Sequence, residues 1–182
     1  MSTENSAAKK LQDELYDWVQ SIAVILSVVI LLFTFFFRII GVEGDSMNPT
    51  LKDNDWLVIS NLFYEPEYGD IVVLTKNSFM SQPIVKRVIA TEGQVIDIDF
   101  TTGTVTVDGK VLDEPYIADF TKRQLGMEFP QLVPNDCVFV LGDNRNHSSD
   151  SRDPALGMVH KQYILGRLIF RIFPLNKIGA VA

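Results

Sequence analysis

Two residue types in this chain stand in settings that suit nucleophilic catalysis. Ser46 lies in residues 44–50, GDSMNPT, where glycine and proline predict a turn that presents the hydroxyl. A serine hydroxyl becomes a nucleophile when a base takes its proton, and that base is usually histidine but in some proteases a neutral lysine. The reference pKa of lysine, about 10.4, must then fall by about 3 units, which costs about 4 kcal/mol.

Lys86 occupies a segment that could lower its pKa in this way. Residues 83–89, PIVKRVI, alternate as a strand does, so the lysine shares a face with Ile84 and Val88. Burial among apolar groups disfavours the charged form of an amine. Arg87 points to the other face, and its much higher pKa excludes it as the base. The turn serine and this lysine are therefore a candidate nucleophile and base, although either residue type in such a position is ordinarily structural.

A third segment adds to this pattern, because residues 142–152 read GDNRNHSSDSR. Together with GDSMNPT, with KRVI from Lys86 onward and with an apolar run of membrane length ahead of them, it resembles the bacterial type I signal peptidases. The resemblance covers nearly the whole chain and follows the family's order of motifs. It implies a membrane-anchored serine protease with a lysine general base.

The resemblance also implies roles for individual residues. Ser46 matches the nucleophile, Lys86 matches the general base, and Ser148 would hydrogen-bond to Lys86 and orient it. The charged residues that would support the site architecture are Asp143, Asp150 and Arg152. The plain alternative for these charges is a polar loop held by an Asp150–Arg152 or Asp143–Arg145 ion pair.

An acyl-transfer site also needs fixed donors for the developing oxyanion. The backbone N–H of Ser46 is the expected first donor. In some family members a serine hydroxyl two residues before the nucleophile is the second, but this chain has Gly44 at that position. The second oxyanion donor could therefore be a backbone N–H or a water, or the site could have only one donor.

The substrate would bind as an extended chain beside strand edges, with alternate side chains entering pockets. By resemblance, the pocket accepts small residues, chiefly alanine, before the scissile bond. The apolar residues expected to line it are Val42, Met47, Leu51, Ile84 and Val85. Residues 43–44 and 82–83 would supply backbone hydrogen bonds.

Residues 22–37, IAVILSVVILLFTFFF, contain no charge and predict a membrane anchor over residues 21–40. A buried core helix would show a polar stripe, and this run has only Ser27 and Thr34. A cleaved signal peptide would need small residues at a cleavage site, which the sequence after Thr34 does not offer. We therefore expect an uncleaved anchor with Arg38 reaching the interface.

The predicted orientation places the N-terminus, residues 1–20, in the cytoplasm. Lys9 and Lys10 precede the anchor and Arg38 follows it closely, which favours this orientation only slightly. The resemblance implies the same orientation, with the catalytic domain, residues 41–182, outside the cytoplasm.

After the anchor, short alternating runs predict a mainly β fold, an antiparallel β-rich catalytic domain of signal-peptidase type. The predicted strands are residues 56–60, 70–74, 84–91, 95–100, 104–107, 111–112, 137–141 and 164–173. Asp108-Gly109 between alternating segments predicts a two-residue hairpin. Residues 114–134 contain three prolines and predict an irregular excursion.

The composition of the chain limits the kinds of molecule that it is expected to bind. A net charge of −7 argues against nucleic acid. The lone Cys137 excludes an intramolecular disulfide and is expected in the core. No cluster of histidine, cysteine and acidic residues has metal-ligand spacing, so we expect no metal and no cofactor. The expected partners are secretory preproteins, with small residues before the cleavage site, and the lipid bilayer.

Three other functions compete with signal peptide cleavage. A self-cleaving Ser-Lys regulatory protease shares the chemistry, but a membrane run stands where a DNA-binding domain would be expected. A non-catalytic, membrane-tethered β-domain adaptor would not need Ser46, Lys86 and Ser148 together. A histidine-dependent hydrolase would use His147 or His160, neither of which has a convincing carboxylate pattern nearby.

Overall fold

The structure is a computed structural model that describes residues 2–76 and 78–181, without the side chains of residues 2–11 and 13. It divides into two compact units, Met1–Phe37 and Arg38–Ala182. Part of the predicted cytoplasmic segment, including the side chains of Lys9 and Lys10, lies outside the described residues.

The first unit is one helix, α1, Ser2–Phe36. Its portion Glu14–Phe36, 23 residues, is long and apolar enough to cross a membrane and is not buried by protein. At 1.5 Å per residue it spans about 35 Å, against about 30 Å for a bilayer core. The hydroxyls of Ser21, Ser27 and Thr34 each donate to the carbonyl four residues earlier, so these polar groups are satisfied within the helix.

The end of the helix differs from the predicted anchor of residues 21–40. The helix stops at Phe36, and residues 37–40 lie in a strand, β1, Phe37–Gly41. Aromatic and β-branched residues suit a strand as well as a bilayer, and here pairing with the next strand decides the outcome.

Within the described residues eleven strands follow the helix. After β1 they are β2 Trp56–Ser60, β3 Ile71–Leu74, β4 Ile84–Thr91, β5 Val95–Asp99, β6 Thr104–Val107, β7 Lys110–Val111, β8 Gln131–Leu132, β9 Cys137–Leu141, β10 Val159–His160 and β11 Ile164–Phe173. Seven form one sheet in the order β1-β2-β11-β3-β4-β9-β10, and four form a second in the order β7-β6-β5-β8. The predicted mainly β, antiparallel fold is confirmed.

The site depends on β4, the strand between β3 and β9 in the larger sheet. Lys86 pairs with Val72 of β3, and Arg87 pairs with both Ile71 and Leu141. Six of the eight residues of β4 are buried, because the strand is covered on both faces. A charged side chain on this strand therefore leaves water unless the fold supplies a partner.

The second sheet packs its apolar face against the first through one core cluster. Ile89 and Phe139 of the larger sheet meet Ile96 and Val105 of the smaller one. Phe129, from the predicted excursion, lies edge-on between Phe100 and Phe139, at 5.8 Å from each ring centroid. Each fully buried large apolar side chain contributes about 1.5–3 kcal/mol, so this cluster joins the two sheets.

The predicted hairpin is confirmed, since Asp108 and Gly109 have positive φ values of 52° and 74° and connect β6 to β7. The excursion is not wholly irregular. It contains β8, which pairs with β5. The short strands β8 and β10 were not predicted, because two residues are too few to show an alternating pattern.

Candidate active site

Ser46 and Lys86, forty positions apart in the sequence, meet in the folded chain. The Nζ atom of Lys86 is 2.8 Å from Ser46 Oγ and also donates to the Val85 carbonyl at 2.8 Å. Lys86 is only 3% exposed, whereas Ser46 is half-buried and borders a cavity. A nucleophile and a base in direct contact at the edge of a cavity are the arrangement that acyl transfer requires.

Burial lowers the pKa of Lys86 to about 8, because the charged amine loses its hydration. The carboxylates of Asp150 and Asp143 act in the opposite direction and limit the fall in pKa. A substantial fraction of Lys86 is therefore neutral at slightly alkaline pH, and the neutral amine can accept the serine proton.

The turn that carries Ser46 is anchored by its apolar residues. Met47 and Leu51 are fully buried in one core cluster, and Leu51 N–H donates to the Met47 carbonyl at 2.9 Å. On the opposite side, Asn48 N–H donates to the carbonyl of Asp45. Ser46 is therefore followed directly by a residue fixed in the core, and the hydrogen bond from Asn48 to Asp45 closes the turn around it, so its position is well defined.

The first expected oxyanion donor is available. Within the described residues, the Ser46 N–H donates to no protein atom. Gly44 cannot supply a second backbone donor in this geometry, because its N–H donates to Asp53 Oδ1 at 2.8 Å. Its φ of 82° explains why glycine is suited to the position.

Ser148 lies beside the nucleophile but does not make the predicted bond to Lys86. Its hydroxyl is buried and, within the described residues, has no hydrogen-bond partner. A β-carbon on Gly142 would overlap both Ser148 Oγ and the carbonyl oxygen of Ser46, so these groups crowd around one glycine. The lysine instead uses Ser46 and the Val85 carbonyl as partners.

Asp143 is fully buried and pairs with Arg87 rather than with Arg145. Arg87 donates to both of its oxygens, at 2.9 and 2.8 Å, and Thr50 Oγ1 donates to Oδ2. A third donor of Arg87 reaches the Gly69 carbonyl at 2.8 Å. The arginine was dismissed as a base from the sequence, and its role as the partner of Asp143 was missed.

Asp150 and Arg152 form the ion pair that was expected as the plain alternative. Arg152 donates from Nε and Nη2 to the two oxygens of Asp150, each at 2.8 Å, and both side chains are fully buried. Asp150 also accepts from the Gly142 N–H at 3.1 Å. The pair thus fixes the backbone at Gly142, next to the carbonyl of Ser46.

A third buried pair was not predicted. Arg145 donates to both oxygens of Glu114, at 2.9 and 2.5 Å, to Thr121 Oγ1 at 2.9 Å and to the Gly142 carbonyl at 3.1 Å. Glu114 lies in the predicted excursion, 31 positions away. No spacing rule links such distant residues, so the sequence held no signal for this pair.

The cavity beside the two catalytic candidates has a volume of about 360 Å³. Of the residues predicted to line a substrate pocket, Val42, Met47, Ile84 and Val85 do so. Leu51 does not, because it is fully buried in the core beneath the turn. The segments expected to offer backbone bonds border the cavity at residue 43 and at residues 82–83.

The described residues offer neither a metal site nor a histidine in contact with Ser46. Among them, no group of three or more histidine, cysteine and acidic side chains could hold a metal ion. His147 and His160 are exposed, and neither hydrogen-bonds to Ser46 in the described structure. Cys137 is partly buried, and burial raises the pKa of its thiol, as expected of a residue packed beside the core.

Comparisons with known proteins identify the family of the chain. A family model described as signal peptidase, peptidase S26, matches residues 15–173. Signal peptidase I of Bacillus licheniformis is 35% identical over 98% of both chains. Signal peptidase I S of Bacillus subtilis strain 168 is 34% identical over 97% of both chains, and signal peptidase IB of Staphylococcus aureus strain Mu50 is 31% identical over 92% of this chain and 94% of its own. A crystal structure of a signal peptidase I from Enterococcus faecalis has 27% identity and a TM-score of 0.47, covering 58% of this chain and 97% of that chain. The chain therefore belongs to the signal peptidase family, peptidase S26, and within it to the bacterial type I signal peptidases.

Proposed function

We propose that this protease removes signal peptides with Ser46 as the nucleophile and Lys86 as the general base. The observation that carries the proposal is the 2.8 Å contact between Ser46 Oγ and Lys86 Nζ on a buried strand. A lysine with a pKa of about 8 is largely protonated at pH 7 and largely neutral at pH 9. Activity therefore rises with pH through this range.

The reaction proceeds by acyl transfer in two halves. Neutral Lys86 takes the Ser46 proton as Oγ attacks the scissile carbonyl carbon, and the Ser46 N–H donates to the resulting oxyanion. Protonated Lys86 then gives its proton to the leaving amine as the C–N bond breaks, which frees the mature protein. A water, deprotonated by Lys86, hydrolyses the ester on Ser46 and releases the signal peptide.

The substrate binds as an extended chain along the cavity. Val42, Met47, Ile84 and Val85 give that cavity apolar walls next to the nucleophile, which supports a preference for small residues such as alanine before the cleaved bond. The backbone at residues 82–83 is positioned to pair with such a chain.

The remaining residues of the third motif position the two catalytic groups. Asp143 and Asp150, each neutralised by an arginine, hold the turn at Gly142 against the carbonyl of Ser46. Among the residues that the structure describes, the buried hydroxyl of Ser148 has no hydrogen-bond partner, and leaving such a group unbonded costs about 1–3 kcal/mol. That cost supports a hydrogen bond to neutral Lys86 during the reaction.

The membrane helix anchors the enzyme with its N-terminus in the cytoplasm and its catalytic unit on the outer side. The contact with lipid is through Glu14–Phe36, an apolar helix without protein cover. This orientation places the catalytic unit on the side where the cleavage site of a translocated preprotein emerges.

The test is cleavage of a preprotein with an Ala-x-Ala site by the detergent-solubilised full-length protein. Wild type should cut after the second alanine, as located by mass spectrometry, and folded Ser46→Ala and Lys86→Ala variants should lose the activity by more than about 1,000-fold. His147→Ala should cleave like wild type. Retained cleavage by the folded Lys86→Ala variant would refute the role of lysine as the base.

A further inference from the structure

A segment of the second unit packs against residues 142–152, called here the catalytic motif. Residues 113–123, named here the clamp segment, lie between the smaller sheet and the turn at residues 142–146. Glu114 accepts two hydrogen bonds from Arg145 and is 7% exposed in its side chain, while the Arg145 side chain is fully buried. Thr121, also fully buried, accepts a further bond from Arg145. The clamp segment therefore supplies the charge that neutralises Arg145.

The clamp segment also contacts the arginine that follows Lys86 on β4. The guanidinium of Arg87 lies 4.0 Å above the centre of the Tyr116 ring, within the range of a cation–π contact. The Tyr116 hydroxyl donates to Glu114 Oε1 at 3.1 Å. One face of Arg87 is thus covered by the ring while its donors hold Asp143.

Backbone bonds close the rest of this interface. Asn146 Oδ1 accepts from the N–H groups of Lys122 and Arg123 at 3.1 Å, and Asn146 Nδ2 donates to the Phe120 carbonyl at 3.1 Å. Arg152 donates from Nη1 to the Arg123 carbonyl at 2.8 Å. Every arginine of the catalytic motif and of β4 therefore has a partner in the clamp segment.

Two hydrogen bonds connect this network to the nucleophile. Asn144 N–H donates to the Ser46 carbonyl at 3.0 Å, and Asn144 Nδ2 donates to the Asp45 carbonyl at 3.0 Å. Arg145, the next residue, is held by Glu114 and itself holds the Gly142 carbonyl. A displacement of Arg145 is thereby transmitted to the backbone of Ser46.

We propose that Glu114 and Tyr116 are positioning residues of the protease: by holding Arg145 and Arg87 they fix the turn that supports Ser46 and keep the carboxylate of Asp143 neutralised near Lys86. This inference rests on the proposed catalytic roles of Ser46 and Lys86. The two residues touch neither of them and act through the arginines.

The proposal has an electrostatic consequence. The carboxylates that act on Lys86 are Asp143 and Asp150, and each is paired with an arginine, Arg87 or Arg152. If Arg87 loses the Tyr116 ring it becomes mobile, and Asp143 then attracts a proton on Lys86 more strongly. Water entering the loosened site also favours the charged amine. Both effects move the titration of Lys86 to higher pH.

The test compares full-length wild type and Tyr116→Leu in detergent, with kinetics on the Ala-x-Ala preprotein between about pH 6 and pH 11. We expect kcat to fall by about 10- to 100-fold with KM within about twofold, because the substrate groove is intact but the nucleophile is misplaced. The rise of kcat with pH, which forms the acidic limb of the pH profile, should move to higher pH. Tyr116→Phe keeps the ring and should retain the wild-type limb.

A matched control on the same segment is Phe120→Leu, since Phe120 is 64% exposed and, in the part of the chain that the structure describes, no arginine stacks on its ring. It should leave kcat and the pH limb unchanged. A folded Tyr116→Leu protein with wild-type kcat and limb would overturn the proposal. If circular dichroism shows that Tyr116→Leu does not fold, the same kinetics are measured on Glu114→Gln, which keeps the side-chain shape. A folded Glu114→Gln protein with wild-type kcat and an unshifted pH profile would then overturn the proposal.

Failure of the catalytic assignment is separable from failure of this inference. NMR of isotope-labelled lysine follows the titration of Lys86 itself, identified by the signal missing from Lys86→Met. An upward shift in Tyr116→Leu supports the positioning role even if Ser46→Ala and Lys86→Ala retain cleavage. An unchanged Lys86 titration in the folded variant refutes it even if both of those variants are inactive.

Discussion

Lys86 is held in a place that opposes its charge. Its amine is buried between β-strands and has the Ser46 hydroxyl and one carbonyl as partners, neither of which carries a countercharge. The nearby carboxylates are occupied by arginines. The low pKa of Lys86 is therefore obtained at the expense of stability, since the protonated lysine is less stable in the fold than in water.

Replacing Lys86 by methionine should accordingly stabilise the protein at neutral pH. The unfolded chain holds this proton up to about pH 10.5, while folded Lys86 releases it at about 8. Between these values the unfolded state binds more protons, so wild-type stability rises with pH by about 3 kcal/mol and is lowest below pH 8. Lys86→Met removes this penalty but loses two hydrogen bonds of about 1 kcal/mol each. We expect its free energy of unfolding to exceed that of wild type by about 1 kcal/mol at pH 7 and to fall below it near pH 10.5, as measured by urea unfolding.

The matched control for this comparison is Lys122→Met, because Lys122 is exposed and the described structure shows its side chain in no ion pair. Its difference from wild type should not vary between the two pH values. An equally constant difference for Lys86→Met would mean that Lys86 titrates alike in the folded and unfolded states, contrary to the proposed base.

At this scale the sequence identified the residues with distinctive neighbours and missed those whose partners are remote. Ser46 and Lys86 could be selected because a turn and an alternating strand suit a nucleophile and a base, and because the motifs that contain them resemble those of the type I signal peptidases. Arg87 and Glu114 were not recognised, since their partners lie 56 and 31 positions away and no local pattern encodes such pairings. The expected Ser148–Lys86 hydrogen bond depends on a side-chain rotamer, which sequence does not determine.

Among the elements, the turn after β9 packs against the backbone of Ser46, and Gly142 permits this approach. A β-carbon there would overlap the Ser46 carbonyl oxygen and the Ser148 side chain. Because one contact is backbone, Gly142→Ala must displace the Ser46 turn rather than rotate a side chain. We expect a loss of about 1–3 kcal/mol in stability and of about 100-fold in kcat, measured by thermal unfolding and by preprotein cleavage.

The control variant Gly166→Ala separates a loss of stability from a loss of kcat. Gly166 is buried in β11, and a β-carbon would lie 2.9 Å from the backbone of Ser60 on β2, whereas a β-carbon on Gly142 would meet Ser46 itself. It should lose stability to a similar extent but keep its kcat at a temperature where it is folded. If Gly142→Ala loses no more activity than Gly166→Ala, the turn after β9 does not position the nucleophile.

Element prediction succeeded where a pattern is long enough to be read. The strands β2, β4, β6, β9 and β11 were predicted with the observed bounds. The strand β1 was assigned to the anchor, because residues 37–40 are as apolar as the helix before them and only pairing in the sheet distinguishes the two states. The order of strands, in which β11 lies between β2 and β3, depends on long-range contacts and could not be read from the sequence.

The whole molecule combines a protease unit with a helix that is long and apolar enough to cross a membrane. The described side chains of Glu14–Phe36 are unburied by protein, and only a bilayer offers them an apolar environment. Signal peptides are themselves apolar segments delivered to the membrane. Confining enzyme and substrate to one bilayer raises their effective concentration, which lowers the affinity that the cavity itself must supply.

The proposed orientation can be tested with single cysteines placed on either side of the helix. In a Cys137→Ser background, Phe63→Cys reports on the catalytic unit, where Phe63 is 97% exposed, and Gln12→Cys reports on the exposed start of the helix. If the helix crosses the membrane with the catalytic unit outside, Lys9 and Lys10 remain on the cytoplasmic side. The distribution of positive charge favours this orientation. An impermeant maleimide added to intact cells that lack an outer membrane should therefore label Phe63→Cys, and should label Gln12→Cys only after lysis. Labelling of Gln12→Cys alone in intact cells would reverse the orientation and place Ser46 in the cytoplasm, where the cleavage site of a translocated preprotein never arrives.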